Sequence, residues 1–126
     1  MIEALIALIK AEIGTEIGNL VYSTVVPVNS AFPCVLLERT RTLPYHTKDS
    51  TGRKETTVMC TVFAKESDTT DSAFSVSFDL SARLVASING VISNGTEYRV
   101  MDIITDYEDE VGAFKATIEL VIQSDF

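Results

Sequence analysis

Between Ala113 and Gln123 the apolar residues Phe114, Ala116, Ile118, Leu120 and Ile122 recur at every second position. Period two is the repeat of a β-strand, whose successive side chains point to opposite faces. A strand with one apolar face has to bury it, so this segment demands a sheet with something packed on it. Two other segments can supply the cover. Ile2, Leu5, Ile6, Leu8, Ile9 and Ile13 lie three and four apart, which predicts a helix over residues 2–13 with a wide apolar face, closed by Gly14 and Gly18. A second helix is predicted from about Asp71 to Asn89, with Phe74, Phe78, Leu84, Val85 and Ile88 as its face. Its start falls after Asp68-Thr-Thr-Asp71, whose side-chain oxygens can take the first free amides, and Asn89-Gly90 offers a left-handed stop.

The remaining strands are read from shorter signals. Cys34–Arg41 is expected as a strand, buried on both faces in its first half, and Glu55–Ala64 alternates as another. Between them Thr42–Lys54 is rich in turn formers and charge and is expected as a long loop, the kind that usually carries function. Pro27 and Pro33 make Leu20–Pro33 a connector with a short edge strand. Asn94-Gly95, inside Val91–Met101, marks a tight hairpin, and Tyr98–Thr105 continues as a strand. The order is α-β-β-α-β-β(-β). It predicts an α+β fold in one domain over residues 1–126, with a mostly antiparallel sheet of about four strands and two amphipathic helices packed on it.

Several function classes find no support. The apolar N-terminal run is interrupted by Glu3 and is far shorter than the ~18 residues of a membrane helix, so no export signal, span or membrane contact is expected. Cys34 and Cys60 are then best read as buried thiols. A net charge of −8 without tryptophan argues against nucleic-acid binding, which needs clustered positive charge. His46 is the sole histidine and sits between Pro44 and Lys48 in the loop, far in sequence from either cysteine, so it reads as a surface or interface residue. Asp102, Asp106, Glu108, Asp109 and Glu110 lack the glycine and distal glutamate of a calcium loop and read as a solvated turn between strands. With phosphate loops, zinc motifs and nucleophile elbows also missing, no catalytic residue, metal or cofactor is expected.

The charges are nevertheless segregated. Arg39, Arg41, Lys48, Arg53 and Lys54 make half of the ten basic residues and cluster around the loop, while Asp106, Glu108, Asp109 and Glu110 crowd one short run. Two unlike patches on one small molecule suit a head-to-tail contact between copies. Arg41, His46, Lys48, Arg53 and Lys54 on one side, and Asp106, Glu108, Asp109 and Glu110 on the other, are the candidate interface residues.

Taken together the chain resembles the tail terminator, or tail completion, proteins of tailed bacteriophages. The resemblance rests on the N-terminal helix, Val21-Tyr22, Pro27 and Phe32-Pro33, the strand Cys34–Glu38, Arg53 with the strand Val58–Ala64, the helix from about Asp71 to Asn89 and the strand Phe114–Gln123. It implies a structural virion protein forming a homo-oligomeric ring, hexameric in relatives. The ring would cap the tail tube, bind the major tail tube protein and join the head-completion or connector protein, with DNA passing through its lumen unbound. The chain would then act in the host cytoplasm during assembly and afterwards in the virion neck. A head-completion protein one ring higher, or a small α+β ligand-binding or enzymatic domain, are the alternatives.

Overall fold

The computed structural model describes residues 2–23, 25–27, 30–45, 53–65, 73–93, 95–108 and 113–125. In chain order its elements are α1 (Ile2–Ile13), β1 (Val21–Tyr22), β2 (Cys34–Tyr45), β3 (Arg53–Ala64), α2 (Ala73–Ile88), β4 (Ile92–Ser93), β5 (Thr96–Glu108) and β6 (Ala113–Asp125). The six strands form one sheet in the order β1-β2-β3-β6-β5-β4. Four strands are long and antiparallel to their neighbours. The other two are two-residue pieces at the margins, of which β1 runs parallel to β2. The fold is α+β as expected, with β1 in the connector expected to hold a short edge strand and β4 pairing with β5 at the expected Asn94-Gly95 hairpin.

Register explains which face is covered. Val35, Val62 and Ala116 stand side by side across β2, β3 and β6, as do Leu37, Cys60 and Ile118. Val58, Leu120 and Val100 form the next row, across β3, β6 and β5. These rows meet Leu5, Ile9 and Ile13 of α1 and Leu80, Leu84 and Ile88 of α2 in one core, so both helices lie on the same face. Burial of that apolar surface is the main stabilising term. Among the described residues the apolar cover on the opposite face lies at one end, where Leu20, Tyr22, Val26 and Phe32 fold against Cys34, Phe63 and Ala113. There the Phe32-Pro33 peptide is cis, and Lys65 Nζ stands 4.5 Å from the Phe32 ring centroid. Farther along that face Thr61 and Thr117 exchange a hydroxyl hydrogen bond of 3.2 Å across β3 and β6.

The helices are also tied to each other. Arg83 on α2 donates to the Glu16 carboxylate at 2.7 Å and to the Glu12 carbonyl at 2.8 Å, closing the C-terminal end of α1. Gly14 follows α1 immediately. A β-carbon there would meet the Asn19 side chain at 2.6 Å as well as the Lys10 carbonyl, so the turn admits no larger residue. Asn89-Gly90 ends α2 as expected, Gly90 taking φ +82°. The α2 face matches the expected one at Leu84, Val85 and Ile88 and departs from it at Phe78. Ser77, Leu80, Ser81, Leu84 and Ile88 are buried, whereas Phe78 is 47% exposed. Counting back from Leu84 by threes and fours gives 80, 81 and 77, and the aromatic at 78 drew the reading off that stripe. The capping run 68–71 lies outside the described residues.

Candidate subunit interface

Among the described residues both margins of the sheet are only partly closed. On one side β1 pairs with β2 at Val21↔Val35 and Tyr22↔Leu36 alone. From Leu37 to Tyr45 no described strand lies beside β2. On the other side β4 pairs with β5 at Ile92↔Glu97 and Ser93↔Thr96. Backbone bonds between Tyr98 and the Gly90 amide and Val91 carbonyl extend that closure, and the Asn89 side chain takes the Val100 amide at 3.0 Å. From Met101 to Glu108 no described strand lies beside β5.

The hydrogen bonds at the closed ends show which backbone groups face outward in the open runs. Val35 donates toward β1, to the Leu20 carbonyl. Alternation then sends Leu37 and Arg39 outward. A register shift between Arg39 and Arg41 inserts Thr40 as a bulge, after which Thr42 and Pro44 face outward. Proline has no N–H to offer, and in a strand it is tolerated where that group would point away from the sheet. On β5 the amides of Tyr98 and Val100 face outward. A second bulge, at Met101, leaves Ile103, Thr105 and Tyr107 outward. Asp102 Oδ1 accepts the Ile103 amide at 2.8 Å, consistent with that assignment. Both bulges border the row of Val58 and Leu120, so the sheet is bent on either side of one buried leucine.

Of the charged candidates among the described residues, Arg41 lies on the β2 margin and Asp106 and Glu108 on the β5 margin, whereas Arg53 and Lys54 lie on β3, inside the sheet. Arg41 is a strand residue, level with Thr57 on β3. Arg53 pairs with Tyr45 and Asp125, and the half-buried Lys54 pairs with Pro44 and Ser124. The expected loop Thr42–Lys54 is therefore mostly sheet: β2 extends to Tyr45 and β3 begins at Arg53. The β-branched and aromatic residues at 42 and 45 outweigh Pro44 once it lies on an open margin. Asp102, Asp106 and Glu108 likewise belong to β5, the last two level with Lys115 and Ala113. His46, Lys48, Asp109 and Glu110 lie outside the described residues. The basic and acidic strands are three strand spacings apart, on the order of 14 Å, and face away from each other across the sheet.

Sequence reasoning missed the apolar part of this margin. Met101, Ile103 and Ile104 are exposed along β5, and Ile92 is 70% exposed on β4. Ile103-Ile104, between Asp102 and Thr105, was a usable signal, because consecutive apolar residues are both covered only in a central strand, and here both are exposed.

Chemistry is sparse. Among the described residues no three His, Cys, Asp or Glu side chains come together to hold a metal ion. Neither cysteine is in a disulfide. Burial pushes the Cys60 thiol up to about 12. It pushes the Cys34 thiol up to about 11, partly offset by the Ser30 hydroxyl and the Lys65 charge. Both are poor nucleophiles at neutral pH. Among the described residues no helix is long and apolar enough to cross a membrane. Comparison with known proteins returned no matching family model and no matching curated protein.

Proposed function

We propose that this protein is a structural subunit of the tail-terminator type, a ring that caps a phage tail tube, stops its elongation and joins it to the head. The observation that carries this reading is the polarity of the sheet. One open margin carries Arg39 and Arg41, and the other carries Asp102, Asp106 and Glu108. A subunit with unlike margins assembles heterologously, and heterologous contacts generate rings when the rotation closes. Six copies would follow the family pattern. The tube subunit and the head connector would bind the two ends of the ring, and a lumen of acidic character would let DNA pass without sticking. In this reading the protein is not an enzyme, acts in the host cytoplasm during assembly and ends in the virion.

The test is tube capping. Tail-tube protein polymerised with increasing amounts of this chain should give tubes of shorter, saturating length in electron micrographs, with a ring at one end. The double substitution Arg53→Glu and Lys54→Glu should weaken capping while leaving the circular-dichroism spectrum unchanged. Tubes that grow to the same lengths with and without the wild-type protein would sink the reading.

A further inference from the structure

We infer that copies of this chain join by antiparallel pairing of the open run of β5 in one subunit with the open run of β2 in the next, giving one continuous sheet. This rests on the reading of the chain as a self-assembling subunit and specifies the contact. The strand directions allow it: β2 and β5 run opposite ways within the sheet. A neighbour that keeps its helices on the same side therefore presents β2 antiparallel to β5.

The marginal strands then fix the height at which the two meet. β4 occupies the part of β5 near Glu97, level with Gln123, and β1 occupies the part of β2 near Val35, level with Ala116. Pairing at equal height would drive β4 into the neighbour's β2. Only a staggered contact is free, lower β5 against upper β2.

One register places opposite each other the two positions that offer no free amide, leaving only their two carbonyls without a donor. Placing Ile103 across from Pro44 brings together the amide already held by Asp102 and the residue with no amide. Thr105 then faces Thr42 as a hydrogen-bonding pair. The same register puts Ile104 directly across from Leu43 and Asp106 directly across from Arg41. Opposite charges and apolar pairs directly across a ladder are both favourable. Pro44 is level with Ser124 and Ile103 with Ile118, a stagger of six positions on β6. Six residues are about 20 Å along a strand and the four long strands about 19 Å across, so the sheet would run with its strands tilted by ~45°. That is at the upper end of the tilt of closed barrels, about 35–45°.

The experiment is directed cross-linking. In the proposed register residues 41 and 106 form a non-hydrogen-bonded pair with Cα atoms ~4.5 Å apart, within reach of a disulfide. Arg41→Cys mixed with Asp106→Cys should give a disulfide-linked dimer under mild oxidation, and neither alone should. A chain carrying both substitutions should give a ladder beyond the dimer. Arg41→Cys mixed with Thr105→Cys should give nothing, since those positions fall on opposite faces. Arg41→Asp should weaken association about tenfold, and adding Asp106→Arg to the same chain should restore it. Dimers from one single variant alone, or association without the 41–106 cross-link, would overturn the inference, as would the absence of association and cross-link together. Capping that persists without the cross-link would leave the proposed function standing, and cross-linked ladders that fail to cap tubes would remove that function and keep the contact.

Discussion

Asn89 Oδ1 accepts the backbone N–H of Val100 at 3.0 Å, so the end of α2 closes the margin of β5 just before its bulge. The bond satisfies an outward amide that no described strand reaches. Asn89→Ala should therefore lower unfolding stability by about 1 kcal/mol, the net worth of one such bond. Asn89→Asp, which keeps an acceptor, should lose less. Urea unfolding at neutral pH decides it: equal midpoints for the two variants would mean that the bond contributes nothing.

Leu120 lies in the row flanked by both bulges and is 1% exposed. Truncation there leaves a cavity at the point where the sheet bends, and Leu120→Ala should cost ~2–5 kcal/mol. Ile104 is 51% exposed on the open strand. Ile104→Thr keeps a β-branched residue and should change monomer stability by less than about 0.5 kcal/mol while weakening self-association. Thermal melts of the two variants should differ widely, and a large loss from Ile104→Thr would show that its side chain is part of the core.

The helices, the long strands and the helix-covered face were legible in the sequence because each has a clean period. Ile118, Leu120 and Ile122 recur by two and Leu5, Ile9 and Ile13 by four, and the structure buries all six. The segment around Pro44 was read as loop because a proline within a strand is legible only once the strand is known to be marginal. The charge segregation was visible, but not that Arg41 and Asp106 belong to opposite margins of one sheet. That depends on strand order, which adjacency along the chain does not reveal: β5 and β6 are sequential neighbours, whereas β3 and β6 pair across α2.

Burial raises the Cys60 thiol to about 12 and the Cys34 thiol to about 11 from an ordinary value of 9.0. A group held protonated by the fold and ionised more readily in the unfolded chain stabilises the fold fully below the unfolded value. That stability is lost as pH rises from about 9 through the folded values. The urea midpoint should thus fall between pH 9 and 11, and Cys60→Ala should flatten part of the fall. Thiol reagents at pH 7 should label neither cysteine without denaturant. Rapid labelling of Cys60 in the native protein, or a midpoint that stays level across that range, would contradict the burial argument.

Pro44 occupies an outward position on β2, level with Lys54. Its neighbours need nothing from its missing amide, so Pro44→Thr should shift monomer stability by no more than about 0.5 kcal/mol. In the proposed contact, however, the restored N–H would meet the Ile103 carbonyl of the adjoining copy. One added hydrogen bond of about 1 kcal/mol corresponds to roughly fivefold tighter association. Sedimentation equilibrium on matched wild-type and Pro44→Thr samples measures this directly. Tighter self-association at unchanged melting temperature fits an open margin that pairs with a second copy and is restrained by its proline. Unchanged association would place the contact elsewhere on β2, and a marked loss of monomer stability would mean that residue 44 is structurally committed within its own sheet.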